Sequence, residues 1–114
     1  MKTITINRKK WVRGDIGGWS ALLNSNGNRC CLGFAVCQIS RLTFETIDGK
    51  CEPNDVLRKP SFLTEIDEEG ILQNNKLAYM AMNINDDCGI TEKVREKKLI
   101  KLFKEHGFKL VFKN

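Results

Sequence analysis

The cysteines carry the most reactive side chains of this chain, and three of the five fall within eight positions. Cys30 and Cys31 are adjacent where a loop signal meets a helical pattern, and Cys37 follows on the same predicted helix. A helix N-terminus stabilises a thiolate, so Cys30 or Cys31 could act as a nucleophile with His106, the only histidine, as its base. His106 shares its predicted helical face with leucine and phenylalanine, however, which favours small buried thiols. No catalytic residue is assigned, and a cysteine-dependent hydrolase or transferase stays an alternative.

The same cysteines lack the spacing of a zinc site. Structural zinc is usually held by pairs of cysteines or histidines with about two to four residues between them. The first two cysteines here are adjacent, and Cys37, Cys51 and Cys88 are too widely spread to supply a second pair. The glycine-rich Walker and Rossmann fingerprints are also missing from the sequence. The sequence therefore predicts neither a metal nor a cofactor.

The junction before the first helix has donors that suit an anion. Asn28 and Arg29 precede the free backbone N–H groups expected at Cys30 and Cys31. The positive end of the helix dipole adds to the attraction, so a phosphate or a carboxylate could be held there. We therefore expect Asn28, Arg29, Cys30 and Cys31 to contact an anionic ligand.

Arg95 is predicted to point inward. It projects onto the apolar face of a helix predicted over residues 92–106, where an arginine needs an acid or an anionic ligand. Asp86 and Asp87, in the preceding turn, are the nearest acids along the chain. A structural bridge to one of them is the preferred interpretation. A contact with a bound anion is the alternative, and it adds Arg95 to the candidate ligand site.

A second candidate surface is basic and could meet a protein. Lys97 and Lys101 lie on the outer flank of the same helix, and Trp11 and Arg13 lie in the basic N-terminal segment. These four residues are the candidate partner contacts, with an ordinary solvated face as the alternative for the lysines. Trp11 and Trp19 could also stack on bases, but the sequence contains no nucleic-acid-binding motif. Binding to nucleic acid is therefore disfavoured.

Positive charge is concentrated at the two ends of the chain. The net charge is +5, with five bases and no acid in residues 1–13 and eight bases against three acids in residues 91–114. If both ends meet in the fold, they form a positive surface for phosphates or for an acidic protein. No apolar run approaches the roughly 20 residues of a membrane span, and the N-terminus lacks the apolar core of a signal peptide. We therefore expect a cytosolic protein with reduced thiols and no membrane contact.

The elements that must position these residues follow from periodicity. Alternating apolar residues predict strands over 2–7 and 108–113, and helical periodicity predicts helices over 31–42, 76–85 and 92–106. A short turn of helix after the first of these would make four. The strands at the two ends are the obvious partners. The sequence predicts one α+β domain over all 114 residues, in which a small antiparallel sheet joins the N- and C-terminal strands and three to four helices pack on it.

Two segments together are similar to a group of small phage proteins. One reads Lys10-Trp11-Val12-Arg13-Gly14, and the other reads Gly27-Asn28-Arg29-Cys30-Cys31-Leu32-Gly33-Phe34. The second resembles the G-K-x-C-C-L-G-F core by which that group is recognised. It departs from the core at Asn28-Arg29, where the usual residues are lysine and methionine. Residues 82–87, the helix over 95–103 and the strand over 107–111 also resemble the group, and the resemblance is weakest over residues 43–73.

That resemblance implies a phage-encoded accessory protein that acts in the cytoplasm of the bacterial host, and it brings no enzyme activity with it. Small phage proteins of this kind often antagonise host immunity. We therefore expect a non-enzymatic anti-defence or host-takeover protein that sequesters an anionic small molecule, such as a nucleotide immune signal. Self-association into a homo-oligomer would help to enclose the ligand. Direct inhibition of a host defence protein is the alternative binding function.

Overall fold

The computed structural model describes residues 1–14 and 20–114, and it confirms the α+β class. Within these ranges, four α-helices and four short strands are joined by loops and 3₁₀ turns. In chain order they are β1 (Lys2–Asn7), α1 (Cys31–Ile39), α2 (Phe44–Ile47), β2 (Thr64–Ile66), β3 (Leu72–Asn74), α3 (Lys76–Asp86), α4 (Glu92–Glu105) and β4 (Phe108–Lys113), with 3₁₀ turns at Arg8–Lys10, Pro53–Asp55 and Ser61–Leu63. No helix of the described chain is long and apolar enough to cross a membrane.

β1 and β4 pair as predicted, but they run parallel, so the prediction of an antiparallel sheet is wrong. Lys2 lies opposite Phe108, and Asn7 lies opposite Lys113. Parallel strands need a crossover connection, and here the crossover is the body of the molecule with its helices. A turn at Gly107, with φ +89°, sends β4 back along α4, and this sets its direction. β2 and β3 form a separate antiparallel hairpin.

α1 lies along the other edge of β1. The side-chain amide of Gln38 accepts a hydrogen bond from the Thr5 N–H at 2.8 Å and donates one to the Thr5 carbonyl at 2.7 Å. The amide thus satisfies backbone groups that a third strand would otherwise satisfy. Ile4 and Ile6, which flank Thr5, are fully buried. The alternating pattern that predicted β1 therefore corresponds to a strand whose isoleucine side chains point into the core.

α1 is buried over most of its length, as its two apolar faces predict. Residues 31–36 are all buried. Gly33 allows the close packing, because a Cβ at this position would clash with the carbonyl oxygen of Leu22 and would lie 2.9 Å from the Cβ of Arg29. α3 packs against both α1 and α4, and α4 packs against β4. A single apolar core therefore connects the four α-helices and the parallel pair.

The helix starts follow sequence signals except at α1. Asn75 and Thr91 each accept a hydrogen bond from the third N–H of the helix that follows, at 3.0 and 3.2 Å, so these two polar residues are the N-caps of α3 and α4. The side chain of Cys30 does not cap α1. α1 ends at Ile39, earlier than the predicted end at residue 42, because Arg41 leaves the helical region with φ 55°.

Candidate functional site

Asn85 caps α1 from outside that helix. Its side chain is fully buried, and its Oδ1 accepts hydrogen bonds from the Trp11 indole Nε1 at 2.7 Å and from the Cys31 N–H at 3.1 Å. Its Nδ2 donates to the Val12 carbonyl at 2.9 Å. A neutral side chain from the end of α3 therefore occupies the helix start at which an anion was expected.

Other donors of the predicted cradle also have acceptors within the chain. The Cys30 N–H donates to the Ala21 carbonyl at 2.8 Å, and the Asn28 N–H donates to Oδ1 of Asn24 at 3.0 Å. The structure brings Asn28, Cys30 and Cys31 together at the start of α1, as predicted. Their backbone donors are nevertheless directed at the protein, so a ligand-binding role for them stays a prediction without support from this geometry.

Arg29 is held by aromatic rings. Its guanidinium carbon lies 4.0 Å from the ring centroid of Phe34 and 4.8 Å from that of Phe44. Its Nε is buried and has no hydrogen-bond partner among the described residues. The backbone of Arg29 pairs with the segment around Trp11 in an isolated bridge. Two cation–π contacts therefore fix this arginine as part of the packing around α1.

Arg95 is buried, as predicted, but its acidic partner is not the predicted one. Its Nη1 donates to two carbonyl oxygens at the end of α3, at 2.7 and 2.8 Å. Its Nε lies 3.3 Å from Oε1 of Glu92, one turn away on α4. The expected bridge to Asp86 or Asp87 is wrong, because the C-terminal carbonyls of α3 already supply negative dipoles at the guanidinium. Arg95 thus joins α3 to α4, and a ligand contact by it stays a prediction.

Trp11 and Arg13 anchor the N-terminal segment to the core. Trp11 is only 3% exposed, and its ring centroid lies 4.9 Å from that of Phe112. The Arg13 guanidinium lies 4.4 Å from the Trp11 ring centroid, and its Nε makes a 2.6 Å ion pair with Glu92. A ring held in this way is not available to stack on a base or a partner. Trp19, the other tryptophan of that hypothesis, lies outside the described residues.

The adjacent thiols of Cys30 and Cys31 are buried in the core, where they are poorly reactive. Burial raises the pKa of Cys30 to about 11, and it raises the pKa of Cys31 well above its ordinary value. The Cys31 Sγ lies 3.8 Å from the Ala81 carbonyl oxygen, to which it can donate. His106, whose Nδ1 lies 3.0 Å from the Leu102 carbonyl oxygen, ends α4 and is exposed. Both thiols therefore stay protonated near neutral pH, and the geometry gives no support to a cysteine nucleophile.

The predicted basic stripe is on the surface. Lys97 and Lys101 are both exposed on α4. Lys101 and Lys98 border a shallow groove of about 330 Å³ between α3 and α4, whose floor includes Met80 and Ile84. Lys97 and Lys101 differ from Trp11 and Arg13 in exposure. The two lysines are exposed to solvent, whereas Trp11 and Arg13 pack on each other and on the core. The four predicted partner contacts therefore do not form one free surface.

A larger cleft lies where the end of α1 meets the starts of β1 and β4. It has a volume of about 780 Å³, and residues 58–62 form its remaining wall. Four of its lining side chains are cationic and none of the described lining residues is acidic; the cations are Lys2, Arg41, Arg58 and Lys59. Sequence reasoning did not assign any of these residues to a site.

Two of these four cations, Arg58 and Lys59, are held by carbonyl oxygens, and the other two have no partner among the described residues. Arg58 donates to the Ser40 carbonyl at 3.0 Å, and Lys59 donates to two carbonyl oxygens of its own loop at 2.8 and 3.1 Å. Lys2 and Arg41 make no side-chain hydrogen bond or ion pair with any described residue. The cleft thus contains positive charge that the described part of the chain does not neutralise.

The backbone of Arg41 is in a conformation that favours glycine. Its φ of 55° is the only positive φ at a non-glycine residue in the described ranges. Arg41 follows the last turn of α1, where the Leu42 N–H bonds back to the Val36 carbonyl at 3.2 Å. This is the position at which a helix commonly ends in glycine, and a Cβ in this conformation costs about 1–2 kcal/mol. Strained backbone is often found at functional sites, so Arg41 is a candidate for contact with a ligand in the cleft.

Comparison of the chain with protein-family models, curated proteins and solved structures finds no match. The resemblance to the phage group therefore stays a prediction that depends on the motif residues. In the described residues no group of three or more histidine, cysteine or acidic side chains could hold a metal ion. The basic cleft is the feature of this fold with the clearest chemical preference, and that preference is for an anion.

Proposed function

We propose that this chain is a binding protein, not an enzyme, and that the basic cleft takes an anionic small molecule. The observation that carries the proposal is the gathering of four cationic side chains around one cleft without an acid among the described lining residues. Two of the cations are arginines, whose planar guanidinium groups match phosphate and carboxylate oxygens. Arg41 in particular keeps a strained backbone and a side chain without a described partner.

The size of the cleft supports a small-molecule ligand. Pockets for such ligands usually measure about 300–1,000 Å³, and the volume here is about 780 Å³. The resemblance to small phage proteins suggests which anion this is: a nucleotide immune signal of the bacterial host, sequestered in the host cytoplasm. The cleft is open to solvent on one side, so a homo-oligomer could enclose the ligand more fully. Both the biological setting and the assembly are part of the proposal.

Isothermal titration calorimetry tests the proposal with inorganic phosphate and a panel of linear and cyclic nucleotides. Arg41→Ala should weaken binding of the anions that bind the native chain by about ten-fold or more, because it removes a charged hydrogen-bond donor. Lys97→Ala is the matched control, since it removes the same charge from α4 at an exposed position outside the cleft. Affinity should also fall as salt is added.

Two results would refute this function. One is the absence of binding to phosphate and to every nucleotide of the panel at low ionic strength. The other is an equal loss of affinity in Arg41→Ala and Lys97→Ala, which would indicate a non-specific response to net charge. A Lys97→Ala variant that binds normally beside a defective Arg41→Ala variant would place the anion in the cleft.

A second candidate function is direct inhibition of a host defence protein. The observation that favours it is the groove between α3 and α4, in which Met80 and Ile84 are bordered by Lys98 and Lys101. Glu105 also lines this groove, so its rim carries two lysines against one acid, and an apolar floor with a net positive rim suits an acidic protein surface. Charge reversal at Lys101 should then abolish capture of the partner from host lysate, while Arg41→Ala should leave capture unchanged. Retained capture by the Lys101 variant would count against this candidate.

A further inference from the structure

The basic cleft has an aromatic floor as well as its charged wall. Phe62 and Phe108 both line it, and their ring centroids lie 5.3 Å apart with an interplanar angle of 53°. Both rings are partly buried, so part of each contacts the core and part stays accessible. The cleft therefore offers two different kinds of contact within one volume, cationic and aromatic.

The aromatic floor is supported from below. Phe108 begins β4, and its ring lies 6.5 Å from that of Phe103 in an edge-on arrangement. Phe103 is fully buried on α4. Phe62 belongs to the 3₁₀ turn Ser61–Leu63, which the Asn75 side chain ties down by donating to the Phe62 carbonyl at 2.8 Å. The rings are thus positioned before any ligand arrives, which lowers the entropic cost of using them.

The cationic residues of the cleft lie close to its two aromatic rings, either along the chain or across the paired strands. Arg58 and Lys59 lie three or four positions before Phe62, and Lys2 is the register partner of Phe108 in the parallel pair. A phosphate alone would occupy only a small part of about 780 Å³ and would leave the rings without a contact. A ligand that uses the whole cleft needs an anionic end and a flat apolar end.

We propose that the ligand of the cleft is a planar aromatic group that carries a phosphate, with the aromatic group against Phe62 and Phe108 and the phosphate toward Arg41 and Arg58. This assignment rests on the proposed function, since it requires that the cleft bind an anion. A nucleotide and a simple aryl phosphate share this chemistry. They differ in whether the aromatic group is a nucleobase joined through a sugar.

Four compounds separate the contributions of the two ends in calorimetric titrations of the native chain: inorganic phosphate, ribose 5-phosphate, phenyl phosphate and AMP. Stacking of the aromatic end should make phenyl phosphate or AMP bind about ten-fold more tightly than ribose 5-phosphate. Tighter binding of AMP than of phenyl phosphate identifies a nucleobase and sugar, and the reverse order identifies a simple aryl group. Failure of these four compounds and of every other nucleotide of the panel to bind would refute the proposed function itself.

Phe62→Leu tests the floor with little change in volume, and Phe44→Leu is its control at an exposed aromatic residue outside the cleft. Phe62→Leu should remove the advantage of the aromatic compounds and leave the affinity for ribose 5-phosphate unchanged. If Phe62→Leu unfolds, competition of ribose 5-phosphate against phenyl phosphate and against AMP on the native chain decides the question. Equal affinities for all three compounds would refute the aromatic assignment and leave anion binding intact.

Discussion

Replacing Arg41 with glycine should stabilise the fold and weaken anion binding at the same time. With φ at 55°, the Cβ of Arg41 crowds its own backbone, and its removal should return about 1–2 kcal/mol. Glycine has more conformational entropy than alanine or arginine in the unfolded chain, and this lowers the free energy of unfolding by about 0.5–1 kcal/mol. The Arg41 side chain makes no hydrogen bond or ion pair with a described residue, so the replacement breaks no such contact. The expected net gain is about 0.5–1 kcal/mol.

Urea denaturation and calorimetry of the ligand-free protein measure this gain. For a chain of this size, about 0.5–1 kcal/mol corresponds to a rise in Tm of roughly 2–6 °C. Arg41→Ala is the matched variant, because alanine also loses the charge but keeps a Cβ in the left-handed region. It should bind anions as poorly as Arg41→Gly without the gain in stability.

A loss of stability in Arg41→Gly would refute this reasoning, because it would mean that the arginine side chain supports the fold. Equal Tm values for the glycine and alanine variants would show that the backbone strain is not real. Unchanged anion affinity in both variants, with the expected difference in Tm, would remove Arg41 from the binding site and leave its conformation unexplained.

Three further predictions concern the buried asparagine Asn85, the cysteine thiols and the ion pairs of Glu92. Asn85→Ala should cost about 3 kcal/mol in urea denaturation, because the Trp11 indole and the first N–H of α1 lose their acceptor; a cost under about 1 kcal/mol would contradict this. Iodoacetamide near neutral pH should label exposed Cys51 in the folded protein and should label Cys30 only after unfolding. Peptide mapping measures this order, and labelling of Cys30 in the folded protein would contradict it. Burial opposes the ionisation of Glu92, but two arginines outweigh it and lower its pKa. Its stabilising effect should therefore be lost as pH falls through that lowered value, and Glu92→Gln should flatten the acid side of the stability profile; an unchanged profile in this variant would contradict the prediction.

Local signals in the sequence predicted the terminal strands and the helices, but neither the β2–β3 hairpin nor the direction of β4. Alternation located both terminal strands and helical periodicity located the longer helices, and Asn75 and Thr91 fit as caps because a cap depends on the residues that follow it. The direction of β4 against β1 is not encoded locally. No hairpin joins the two strands, so only the path of the chain through four helices decides it.

Asn85 shows what a pattern can and cannot reveal. It lies four residues after Ala81 on the buried face of α3, so a polar residue at an inward position was visible in the sequence. Its partners were not visible, because Trp11 and the start of α1 lie more than fifty positions away. Separation along the chain does not explain Arg95: its burial was predicted from its helical face, but its acidic partner Glu92, only three positions away on the same helix, was not considered.

The basic cleft depends entirely on such distant contacts. Lys2, Arg41 and the pair Arg58–Lys59 come from three segments that share no spacing or motif, and each segment alone reads as solvated surface charge. The anion cradle predicted at α1 and the cleft found in the structure lie at opposite ends of that helix. At the start of α1, where a dipole favours an anion, Asn85 already satisfies the first N–H; at its end, where the dipole favours cations, Arg41 and Arg58 gather. Part of that positive charge therefore stabilises the C-terminal end of α1. The anion affinity of Arg41 variants distinguishes this structural role from a role in ligand binding.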